Sequence, residues 1–329
     1  MGDFGFNCSC LKSFDGATCE TPLTTCPIQS EAERQQRVAM MTTQSICSTY
    51  ILTMTGVLIM IFALLFDFST ERILHLSQEI SLFTAHVLIL FCRAPTVLDT
   101  AAFCNEEASG NPPKMSASNC KLIAVLLHYL FLVHFTFIFL EAVHNYTYYT
   151  HVVVQQPLVN RLGLFLVGFI FPVIPVGLTT IFSLDAYVHD TTCWLNASGT
   201  NFYIEVFPIL LITCVSIVMS EATGMREFPQ LSSNEEKRLS AVANSQAAIL
   251  IIPVSCAAWM FGFFAVDKTL LSYYTIASIL NVVLGILLMI FHTVGNKKAR
   301  RLIKRFLCCC CKNEEEDEFR KSSAPYQLQ

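Results

Sequence analysis

Leu122–Leu140 reads LIAVLLHYLFLVHFTFIFL, a run without a single Asp, Glu, Lys or Arg. A helix crossing a hydrocarbon core roughly 30 Å thick needs about 20 apolar residues, and this run has that length. Inside lipid every backbone N–H and C=O must be satisfied within the segment, so the run should be a helix. The same reading extends outward to Ile46–Phe66, Leu162–Leu184, Ala241–Val266 and Thr269–Val294, all uncharged and all long enough. Val206–Ser220 is shorter and reaches a full span by extending back through Phe202, Tyr203 and Ile204. A seventh run, from Ile73 to Phe91, contains His75, Glu79 and His86 and must face other helices rather than lipid.

Seven spans agree with the composition. Of 329 residues, 53% are hydrophobic and 14% charged, whereas a soluble domain carries about 25% charged residues. The net charge of −4 gives no reason to expect a nucleic-acid partner. The fold expected is an all-α membrane protein, a seven-transmembrane helix bundle over residues 46–295. Residues 1–45 form a Cys-containing segment outside it, 296–311 a basic amphipathic helix with a cysteine cluster, and 312–329 an acidic tail.

Orientation follows from the basic residues. Lys297, Lys298, Arg300, Arg301, Lys304 and Arg305 follow the seventh span, and Arg226, Lys237 and Arg238 join spans five and six, while the connection between spans four and five has no Lys or Arg. Positive charge stays in the cytoplasm, so the tail is expected inside and the amino terminus outside, at the plasma membrane. The sequons at Asn7 and Asn196 then fall on the outer side, and the one at Asn145 falls inside, where it should stay unmodified. On the outer side Cys120, at the start of span three, can pair with Cys193, with Cys104 as the rival partner. Cys308, Cys309, Cys310 and Cys311 follow a basic segment in which Leu302, Ile303, Phe306 and Leu307 share a face. S-palmitoylation suits this position better than metal binding, because adjacent cysteines cannot all point at one ion. The basic residues there can meet anionic lipid headgroups.

Several motifs carry a resemblance. Leu126-Leu127-His128-Tyr129-Leu130-Phe131-Leu132, Phe135-Thr136 and Leu140-Glu141 in span three are similar to the third helix of adhesion G protein-coupled receptors, the latrophilin-like branch above all. His75-Leu76 and Ser81-Leu82-Phe83 in span two, Gly168-Phe169-Ile170-Phe171-Pro172 in span four, Cys193-Trp194-Leu195 and Trp259-Met260-Phe261-Gly262 extend it. So do Ile279-Leu280-Asn281, Ile290-Phe291-His292 and Asn296-Lys297-Lys298. The resemblance implies a secretin-like receptor that relays an unknown extracellular ligand or a tethered peptide to a heterotrimeric G protein, with no enzyme activity, cofactor or metal. It implies an inactive-state lock between His75 and Glu141. In span six Pro253 removes one helical hydrogen bond and permits a hinge, Gly262 adds local freedom, and Trp259 is the aromatic switch. Arg226, Lys237 and Arg238 would meet the G protein.

The departures from the family pattern are His86, His134, Phe137, Asn145 and Leu284. Cys8-Ser9-Cys10-Leu11-Lys12-Ser13-Phe14 only faintly resembles the end of the family's self-cleaving domain and lacks its His-Leu-Thr triplet, so autoproteolysis is not expected. The alternative reading is a seven-helix scaffold or accessory protein that kept the fold and lost coupling. A transporter would show paired repeats with broken helices, and a retinal protein would want a Lys in span seven. Neither feature is found in the sequence.

Overall fold

The computed structural model describes residues 14–15, 21–22, 31–65, 69–102, 117–150, 160–183, 200–225, 235–268, 271–295 and 300. Among them, seven segments are long and apolar enough to cross a membrane. They are carried by α1 (Glu31–Leu65), α2 (Thr70–Ala102), α3 (Ala117–Thr150), the pair α4 (Arg161–Ile170) and α5 (Val173–Ser183), α6 (Thr200–Met225), α7 (Glu235–Lys268), and α8 (Leu271–Leu288) with its π-helical end Met289–Val294. The only strands among the described residues are β1 (Phe14–Asp15) and β2 (Thr21–Pro22), an antiparallel pair.

Helices α1, α2, α3, α6, α7 and α8 close a ring, each packed against the next and α8 against α1, while α4 and α5 lie outside against α3. In span three 67% of the residues are buried, against 28% in spans one and four, so α3 is the central strut. It therefore supplies side chains to both cavities of the bundle. Phe131 and Phe135 from α3 meet Trp259 and Phe263 from α7 in one core cluster with Leu82 and Leu284. The outward faces are apolar, as with Ile181 and Phe182 on α5, which suits contact with lipid tails rather than water.

The fourth span, read from the sequence as one run over Leu162–Leu184, is broken at Pro172. Pro172 has no N–H to give and its ring clashes with the preceding turn. The break is short, with Ile174 N–H bonding the Phe171 carbonyl at 3.2 Å. Asn160 caps α4, its Oδ1 accepting from the Gly163 N–H at 2.6 Å. By contrast, α2 and α7 run on through Pro95 and Pro253 respectively.

Two boundaries differ from the sequence reading. Helix α1 begins at Glu31, inside the segment set at 1–45, and Lys237 and Arg238 belong to the first turns of α7 rather than to a connecting loop. Polar helical turns beyond the apolar run carry no hydropathy signal, so span counting passes over them. The end of the bundle where α3 and α6 finish and α2 and α7 begin is called the lower end below.

Candidate functional site

Near the lower end, five polar side chains from three spans meet in an otherwise apolar interior. His75 Nε2 lies 2.9 Å from Glu141 Oε1, the contact expected between α2 and α3. One helical turn further on, Gln78 Nε2 donates to Glu141 Oε2 at 2.6 Å and to the Phe137 carbonyl at 3.2 Å. Glu79, with no exposed surface, takes a hydrogen bond from His292 Nδ1 at 2.5 Å. The His75 and His292 rings stack, centroids 4.0 Å apart and planes 6° from parallel.

The cluster is thus two acid–imidazole pairs placed back to back, one spanning α2 and α3, the other α2 and the end of span seven. Each carboxylate oxygen only accepts, so each imidazole donates. Buried polar groups of this kind are tolerated only when paired, and leaving one unpaired costs about 1–3 kcal/mol, more for a charged group. The pairs therefore hold the three helices in one relative position.

Residues 75, 78 and 79 share the inward face of α2 through the helical period. His292 arrives differently. It sits in the π-helical stretch, closed by the Gly295 N–H bonding the Ile290 carbonyl at 2.9 Å. That wider turn buries both His292 and Thr293. Single π turns inside α-helices recur at functional sites.

The cluster borders a cavity of about 560 Å³ that opens at the lower end, with Glu71, Asn145, Ser220 and Asn244 also in its wall. Two hydrogen bonds fasten α7 across it. Asn244 Nδ2 donates to Glu71 Oε1 on α2 at 2.9 Å, and the Ser245 hydroxyl donates to the Ser220 carbonyl on α6 at 2.7 Å. A second cavity of about 60 Å³ lies in the upper half, lined by His86, His134, Ser255, Trp259, Gly262 and Asn281 among others.

The sequence profile of the 7 transmembrane receptor (Secretin family) matches residues 35–290. The chain belongs to that family. This secretin-family chain is 26% identical to Adhesion G-protein coupled receptor D1 of Bos taurus over 56% of its length and 21% of that protein. It is 30% identical to Adhesion G protein-coupled receptor E5 of Bos taurus over 57% of its length and 26% of that protein. Against Adhesion G protein-coupled receptor L1 of Mus musculus the identity is 24%, over 55% and 13%. The matches thus span about a quarter or less of these relatives' own lengths. They are adhesion-type receptors, a receptor family rather than an enzyme family, and the seven-pass membrane architecture of this chain is that of the family.

The structure brings some of the sequence-predicted residues together and leaves others apart. His75 and Glu141 meet. Trp259 is buried, stacked on Phe263 at 5.6 Å and edge-on to Phe135 at 6.1 Å. Pro253 is on α7, and Gly262 faces open space, with nothing within 4 Å of where a Cβ would stand. Trp259 and Gly262 line the small cavity, away from the His75–Glu141 pair. Cys120, at the first turn of α3, is disulfide-bonded. Cys193 and Cys104 lie outside the described residues, as do Asn7, Asn196, Arg226 and Cys308–Cys311, and the side chains of Lys237 and Arg238. Gln78, Glu79, His292 and Asn244 were not selected from sequence. Glu79 had a signal, a carboxylate in the middle of a span, which always needs a partner.

Proposed function

We propose that this secretin-family chain is an adhesion-type receptor that passes an extracellular or tethered-peptide signal to a heterotrimeric G protein. The observation that carries the reading is the double acid–imidazole cluster beside a cavity across which α7 is fastened by two single hydrogen bonds. Bonds this few can be made or broken as a unit, so fastened and open states would supply what a switch requires. An agonist acts by binding the open state more tightly than the fastened one, and only to the extent of that difference.

In this reading the lower end faces the cytoplasm and the amino terminus lies outside. Opening of α7 away from α2 and α6 exposes the large cavity to the G protein, which Arg226, Lys237 and Arg238 contact. Pro253 supplies the bend, since it removes one helical hydrogen bond, and Trp259 is the aromatic group that turns with it. Cys120 pairs with Cys193, Cys308–Cys311 carry palmitoyl chains against the lipid, and Asn7 and Asn196 carry glycans.

The test is surface expression with a readout for each G protein class, with and without residues 1–30, which precede α1. A rise on truncation marks that segment as a brake, and a fall marks it as the agonist. Silence in every class, with the chain at the surface and agonist peptides supplied, would leave the scaffold reading in place of the receptor.

A further inference from the structure

His134 stands on α3 with both ring nitrogens engaged by different helices. Nδ1 lies 3.1 Å from the Gln78 carbonyl oxygen on α2, and Nε2 lies 3.0 Å from the Ser255 hydroxyl on α7. A carbonyl can only accept, so Nδ1 carries the proton and donates. Nε2 is then the acceptor, and the Ser255 hydroxyl donates to it. The imidazole is 3% exposed and borders the small upper cavity together with Ser255.

Gln78 continues the chain. Its carbonyl accepts from the His134 Nδ1–H and also from the Ser81 hydroxyl at 2.8 Å. Its side-chain amide points the other way, to Glu141 at 2.6 Å. Ser255 is thus tied to His134, His134 to the main chain of Gln78, and the side chain of Gln78 to the Glu141 carboxylate, a mechanical link through one residue of α2. The starting point matters as much as the end. Ser255 is two residues beyond Pro253 and four before Trp259, and Trp259 packs edge-on against Phe135, the neighbour of His134.

We propose that His134 is a positioning residue that couples the proline segment of α7 to the Glu141 cluster. Movement of α7 at Ser255 must either break the Ser255–His134 bond, leaving two buried groups unpaired, or drag Gln78 and so disturb Glu141. The inference rests on the receptor reading for its consequence, but not for its mechanics.

The experiment uses the full chain in lipid nanodiscs and in cells. Backbone hydrogen exchange is measured over residues 239–252 of α7, and basal G protein activation is measured per receptor at the surface. His134→Phe keeps an aromatic ring, somewhat larger, and removes both nitrogens. Ser255→Ala removes one oxygen, and Ser255→Thr restores the hydroxyl. Both His134→Phe and Ser255→Ala are expected to raise exchange at least fivefold, the double variant no further, and Ser255→Thr to stay within twofold of the parent. In a Gln78→Leu background, Ser255→Ala should raise basal activation less than twofold. Unchanged exchange in Ser255→Ala, or effects that multiply independently in the double variant, would overturn the coupling. Should His134→Phe fail to reach the membrane, the Ala and Thr variants of Ser255 decide the matter alone. Coupled changes in exchange with no G protein response would leave the coupling standing and remove the receptor reading instead.

Discussion

The Phe137 ring lies where a side chain on Gly168 would have to go, so that any Cβ at 168 collides with it. Phe137 also meets Phe169 edge-on at 5.0 Å, and together they seat α4 on the α3 strut. Gly168→Ala is therefore expected to destabilise the fold by about 1–3 kcal/mol, the usual result of overfilling a packed core. Thermal unfolding of detergent-solubilised protein checks this. Combining Gly168→Ala with Phe137→Leu should recover part of the loss, and an equal or larger loss in the double variant would show that the ring is not the cause.

Breaking the His75–Glu141 pair should release the lower end. His75→Ala and Glu141→Ala each leave a buried partner without its bond and are expected to raise basal G protein activation severalfold. The double variant should not exceed the stronger single, since both remove one interaction. If neither single variant altered basal signalling at matched surface expression, the lock would be lost as an idea.

The fastening of α7 gives a separate expectation. Interhelical hydrogen bonds in membranes are worth about 0.6 kcal/mol on average and at most about 1.7. Asn244→Leu should thus shift the fastened–open balance roughly threefold by the mean value, read as basal activation with little change in unfolding temperature. Gly224→Ala should act similarly, because a Cβ there would sit 2.5 Å from Ser245 Oγ and push it off the Ser220 carbonyl. Restoration of parental signalling by Gly224→Ala combined with Ser245→Ala would contradict this account, since that pair still lacks the bond.

Topology is open to a gel. Asn7→Gln and Asn196→Gln should each remove one glycosidase-sensitive mobility step. Asn145→Gln should remove none, since Asn145 is buried within α3 at the lower end as well as on the expected cytoplasmic side. A glycan on Asn145 would invert the orientation.

The spans were legible because hydrocarbon imposes a length and forbids unpaired backbone. Leu122–Leu140 has the length of a span and no charge, whereas the break at Pro172 was passed over, because Leu162–Leu184 is uncharged throughout. The His75–Glu141 contact was legible through motifs, not through spacing, since the two lie on different helices. Glu79 with His292 was not, because the π turn shifts the register of span seven and no apolar period reveals an extra residue. His134 read only as a departure from the family, yet it bridges two helices. What a buried imidazole touches depends on its neighbours across the bundle, which a single sequence does not state. The polar turns that open α7 escaped for the opposite reason, since nothing apolar marks them.

The six residues from Met289 to Val294 also have a geometric implication. A π turn holds one residue more than the α-helix around it. If that surplus is taken up elsewhere, everything beyond it rotates by about 100°, the angle one residue subtends at 3.6 per turn. His292 would swing off the face of His75, and the stacking of the two imidazoles would be lost. The seventh span thus carries slack of its own, and the contact between the two acid–imidazole pairs depends on where that slack is held.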